Sequence, residues 1–199
     1  GLYSEGGEDF WLNQLAEYMD SEGYEEDPVS HLEDSMEVLY CPSTRDPRIP
    51  PPDGIAGSAR HRWRYDSGEF EEDVAYAEGS YGLNGWVGGW DMDRAGIPKF
   101  MKDNSFRDSV PGRADIPFFA DSIWVGFWPL SHVVQPPVDD LLNGGWNGLQ
   151  RCCISRHGKG INIGFADNHV GYTPLSELWN QKWHKHYEPV GDMQVPPRR

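Results

Sequence analysis

Residues 156–172, RHGKGINIGFADNHVGY, constrain the fold more than any other stretch of the chain. Ile161, Ile163 and Phe165 alternate with small or polar residues, and Val170 and Tyr172 follow a short polar break. Alternation with a period of two marks a half-buried strand. Asp167-Asn168 lies between the two runs, and both residue types tolerate the positive φ of a tight two-residue turn. The stretch predicts a β-hairpin, reached through Gly158 and Gly160, with His157 at its mouth.

Two further segments supply strands. Ile116–Val125, IPFFADSIWV, is the most apolar and is expected at the centre of a sheet. Ser80–Gly89, SYGLNGWVGG, reads as a strand broken by glycines where backbone must approach backbone closely. Val38–Cys41 reads as a short buried strand stopped by Pro42. Helical spacing appears over Glu8–Met19, with apolar Trp11, Leu12, Leu15, Tyr18 and Met19, and again over Leu175–Trp183. Thr173, just before Pro174, suits the N-cap of the second helix. Pro50 to Pro52 make an extended surface loop. With 23 glycines and 16 prolines in 199 residues, the expectation is a loop-rich α+β domain with short strands. Residues 1–187 form one globular unit and 188–199 an extended tail.

Charge narrows the function classes. The formal net charge of −15 argues against nucleic acid, whose binders need a basic face, and against docking on anionic lipid. It is compatible with divalent cations. No apolar run reaches the length of a membrane span.

Several chemistries can be assembled from the sequence. A Ser122/His157/Asp167 triad lacks a nucleophile elbow, and Ser122 falls inside a strand. Cys152 or Cys153 with His157 has only proximity in sequence to support it. Asp121, His157, Asp167 and His169 would make a divalent-metal set if the 116–125 strand lay beside the hairpin. Against this, an Asp at a turn tip usually caps the turn, and a His like His157 usually bonds a neighbouring carboxylate or carbonyl. His184 and His186, in WHKHY, could coordinate a metal on an extended chain, but a surface cluster is the default reading. Trp86, Trp90, Trp124 and Trp128 could form a sugar-stacking platform, but core filling is the commoner fate of such residues. The three cysteines, Cys41, Cys152 and Cys153, show no Cys-x-x-Cys or Cys/His ligand spacing, so structural zinc is not expected; they allow one disulfide of open connectivity, with Cys41 as one partner.

His157, nine intervening residues and Asp167 resemble the His-x9-Asp-Gly signature of prepilin-type processing-associated proteins, a pseudopilin-like family. Five blocks match in order. They are Val38–Ser43 (VLYCPS), Ser80–Trp86 (SYGLNGW), Phe119–Ser122 (FADS), Cys153–Gly158 (CISRHG) and the closing Leu178-Trp179 with Lys182–His184. Asn168 replaces the family glycine and keeps the turn feasible. The resemblance implies a pilin-like head, an α+β unit with an N-terminal helix packed on a small antiparallel sheet. It implies a non-enzymatic subunit that self-assembles into a filament with other pilin-like subunits and works with a type II secretion or type IV pilus-like machinery. Export to the periplasm or cell surface follows, with anchoring through a hydrophobic helix that this chain lacks, so this fragment itself would not touch membrane. His157, Asp167, Asn168 and Asp121 become structural motif residues. Cys41–Cys153 becomes the implied disulfide. No cofactor is assigned: the family's calcium loop does not carry across residue by residue, and Ca2+ rests on the acidic composition alone. The alternative is an exported binding module that presents loops and aromatics to a glycan or a secreted substrate.

Overall fold

A computed structural model describes residues 37–47, 56–65, 77–87, 98–106, 110, 113–132, 136–137, 139–140 and 148–197. The helix expected over Glu8–Met19, the triple-proline loop and Trp90 lie outside the described residues. The described chain is mixed α/β with two sheets and little helix. β1 (Trp63–Tyr65) and β2 (Ala77–Gly79) form a two-stranded antiparallel sheet. β3 (Tyr81–Asn84), β4 (Pro117–Asp121), β5 (Gly126–Phe127), β6 (Gly160–Phe165) and β7 (Val170–Pro174) form the main sheet, in the order β5-β3-β4-β6-β7. The short α1 (Lys99–Asn104) is the one α-helix among the described residues, and none there is long and apolar enough to cross a membrane.

The hairpin β6–β7 forms as expected, with Ile161 opposite Thr173 and Ile163 opposite Gly171. Its turn differs from expectation. Among the described non-glycine residues only Asn168 has a positive φ, 73°. The Asn168 N–H donates to the Phe165 carbonyl at 2.9 Å, and the Phe165 N–H donates to the His169 carbonyl at 2.9 Å. That is a three-residue loop with one left-handed residue, which asks less of Asp167 than a primed two-residue turn would. Asp167 caps the loop by accepting the His169 N–H at 3.1 Å.

β4 is central, as its apolar sequence predicts. It carries a register shift between Pro117 and Phe119. The bulge lets Phe118 and Phe119 both pack on the core of Trp63, Leu83, Trp86 and Ile116. The next residue, Ala120, joins the other core with Ile161, Ile163, Trp179 and Trp183. Apolar clusters therefore cover both faces of the sheet.

The sheet is not wholly antiparallel. After β4 the chain crosses the start of β3 and pairs on its far side as β5, parallel, with Leu83 opposite Gly126. Ser122 N–H donates to the Ser80 carbonyl at 2.9 Å during the crossing. A Cβ on Gly82 would meet the Trp124 carbonyl oxygen at 2.6 Å and the Ser122 Cβ at 2.8 Å. This is the close backbone approach that the glycine-broken strand implies. Gly82→Ala is expected to cost about 1–3 kcal/mol through overpacking, read as a lower melting temperature; an unchanged melt would show that the crossing yields.

Two local readings are corrected. Val38–Cys41 is not a buried strand: Glu37–Leu39 form a 3-10 turn with Val38 60% exposed. A four-residue apolar run lacks a period that separates strand from turn. Leu175–Asn180 is a 3-10 helix whose cap position is Pro174, with no side-chain cap bond, because Thr173 is engaged in β7 opposite Ile161. Residues 188–197 carry no regular structure and strap back onto the core through Met193 and Val195. The Met193 N–H donates to the Ser176 carbonyl at 2.9 Å.

Candidate functional site

An aspartate inside the most apolar strand needs a partner, since an isolated buried carboxylate is strongly disfavoured. Asp121, at the end of β4, is fully buried, and its partner is Arg156. Arg156 Nη1 lies 3.2 Å from Asp121 Oδ1, and neither side chain has measurable exposure. Asp121 Oδ2 accepts the Asn162 N–H of β6 at 2.7 Å and lies 3.2 Å from His157 Nε2.

Arg156 uses the rest of its guanidinium on backbone. It donates to the carbonyls of Ser58 (3.0 Å), Ala59 (3.3 Å), Ser122 (3.0 Å) and Ser80. Burial pulls its pKa down and the Asp121 carboxylate pushes it back up. Arginine starts so high that it stays charged. Cys41 faces the same knot, with Sγ 3.5 Å from His157 Nε2. Burial first, then the Cys41 and Asp121 charges, push the nearby Tyr81 hydroxyl up to about 12.

Of the four residues considered for a metal set, the fold joins only Asp121 and His157. Asp167 and His169 pair with each other at the hairpin tip, Oδ1 to Nδ1 at 2.5 Å. His157 precedes β6 and Asp167 follows it; six strand residues at about 3.3 Å each put roughly 20 Å between them. The Ser122/His157/Asp167 triad is excluded by that separation. Ser122 Oγ instead donates to the Arg151 carbonyl at 3.2 Å and accepts the Trp124 N–H at 3.1 Å.

None of the three cysteines is in a disulfide, so the Cys41–Cys153 bridge is corrected. Cys41 turns to His157, while Cys153 is buried in the core of Ile161 and Trp179. Cys152 is also buried there, and burial drives its thiol well above the usual range, which removes it as a nucleophile. His184 is no surface ligand. It is buried edge-on against Trp86 and Tyr187, and burial holds its pKa down to about 4. Trp86 and Trp128 are buried and Trp124 is half-buried, so these three do not form a stacking platform.

The sequence reading missed Arg156 and the part played by Cys41. The signal for Arg156 was present: Asp121 inside IPFFADSIWV demanded a cation, and Arg156 adjoins the buried run Cys152–Ile154.

His157 Nε2 faces both Cys41 Sγ and Asp121 Oδ2. A relay that activates a thiol needs the carboxylate on one ring nitrogen and the thiol on the other. The arrangement is therefore unsuited to general-base activation of Cys41.

Comparison with models of known protein families, with curated proteins and with solved structures finds no match for this chain.

Proposed function

We propose that this chain is the head of a pilin-like structural subunit, exported and assembled with its own kind and other pilin-like subunits into a filament of a secretion or pilus system. The observation that carries the reading is where the family-like blocks go. Each of the five is hydrogen-bonded to another. The Ser80 N–H donates to the Leu39 carbonyl and the Ser122 N–H to the Ser80 carbonyl, each at 2.9 Å. Arg156 bonds Asp121, Cys41 meets His157, and Asn84 Nδ2 donates to the Trp183 carbonyl at 2.9 Å. Residues of these types, spent on holding distant segments together in the interior, serve a scaffold better than a reaction. The edge strand β7 also presents Val170 and Tyr172, 73% and 54% exposed, as apolar surface.

The test is to treat cells that produce the native protein with a membrane-impermeant cross-linker and to probe with an antibody to this chain. The expected result is a ladder of cross-linked species in the envelope fraction. A single monomeric band confined to the cytosol would overturn the proposal. A monomer outside the cell that binds specific sugars on a glycan array would favour a binding module instead.

A further inference from the structure

We propose that Cys41, Asp121 and His157 form a zinc site that clips the Cys41 segment onto the main sheet. One ligand atom from each, a sulfur, a carboxylate oxygen and an imidazole nitrogen, lies within 4.8 Å of the other two. Sγ to Nε2 is 3.5 Å and Nε2 to Oδ2 is 3.2 Å. Tetrahedral zinc with ordinary bond lengths sets its ligands about 3.5 Å apart for sulfur and nitrogen and about 3.3 Å for nitrogen and oxygen. The two pairs that involve His157 already stand close to those separations, and the sulfur and the carboxylate oxygen lie within 4.8 Å of each other.

The surroundings fit the role. A ligating carboxylate is normally fixed by further hydrogen bonds. Asp121 has the Asn162 N–H on Oδ2, which leaves one lone pair there, and Arg156 on Oδ1. Cys41 and Asp121 are buried, while the His157 side chain is 24% exposed and gives the ion a route from solvent. A solvent ligand fills the fourth position. Thiolate and imidazole select zinc-like ions over calcium, which takes oxygen ligands. The ion bonds to Cys41 Sγ as the thiol proton leaves to solvent, so affinity rises with pH. The proposal does not rest on the filament reading, and purified protein tests it alone.

Cobalt(II) is the probe, added under reducing conditions to the untagged chain. The expected result is one ion per chain, tetrahedral d–d bands and a thiolate-to-cobalt charge-transfer band, all displaced by Zn2+. Zn2+ at a hundredfold excess over Kd should raise the melting temperature by about 5–10 °C. C41S should abolish the charge-transfer band, and H157Q should weaken binding by more than about 100-fold. C153S should leave both unchanged. Absence of the thiolate band in the unmodified protein, or its persistence in C41S, would overturn the proposal. The unmodified protein supplies the first of these whether or not the variants fold.

Discussion

Replacing Arg156 with methionine is expected to cost about 3–5 kcal/mol of folding stability, the range found when one partner of a buried ion pair is removed. Methionine keeps much of the stem but no charge and no donors. Asp121, fully buried, would lose its cation. The carbonyls of Ser58, Ala59, Ser80 and Ser122 would lose a donor in the same stroke. Urea unfolding measures the loss as a lower midpoint at unchanged slope. Arg156→Lys should fall between, since an ammonium keeps the charge but cannot span the same fan of acceptors. Adding Asp121→Leu to Arg156→Met should recover part of the loss, because the orphaned carboxylate is then gone. A single variant within about 1 kcal/mol of the parent would show that solvent screens the Arg156–Asp121 pair, and a desolvated ion pair would be ruled out.

Trp183→Ala is expected to cost a similar amount, about 3–5 kcal/mol, as a large buried ring gives way to a cavity. Trp183 has no exposure, and its ring meets Phe127 of β5 edge-on at 5.5 Å. Its Nε1 donates to the Leu178 carbonyl at 2.7 Å. Its own carbonyl accepts Asn84 Nδ2 of β3 at 2.9 Å. The residue thus pins the C-terminal segment to the strand pair that the crossing creates. Trp183→Phe should lose less, because most of the ring volume stays and only the Nε1 bond goes. Thermal melts followed by circular dichroism separate the two variants. Equal losses would mean that the hydrogen bond, not the ring, holds this corner.

Features with a local signature were legible in the sequence. The β6–β7 hairpin announced itself through Ile161, Ile163 and Phe165, which pack on one core face as their spacing requires. β4 was legible from its apolarity and Gly82 from the need for close approach. β5 was not, because two residues carry no period and its parallel partner is set by a crossing, not by a turn. The candidate site was legible by half. Asp121 and His157 were named, but the motif spacing drew attention to Asp167, a neighbour in sequence that lies at the other end of a strand. Cys41 is 116 residues from His157, and no pattern along the chain encodes that meeting.

The position of Arg156 along the chain fixes when the knot can close. Every partner of its guanidinium, from Ser58 to Ser122, precedes it, the farthest by 98 residues. During synthesis those segments wait with Asp121 uncompensated until residue 156 emerges. Contacts at such separations form slowly, because loop closure comes before any stabilisation. A nascent chain stalled before Arg156 should therefore stay protease-sensitive and available to chaperones, and one stalled after Tyr187 should not. A late arginine would in this way delay closure of the knot until residue 156 of these 199 has been made.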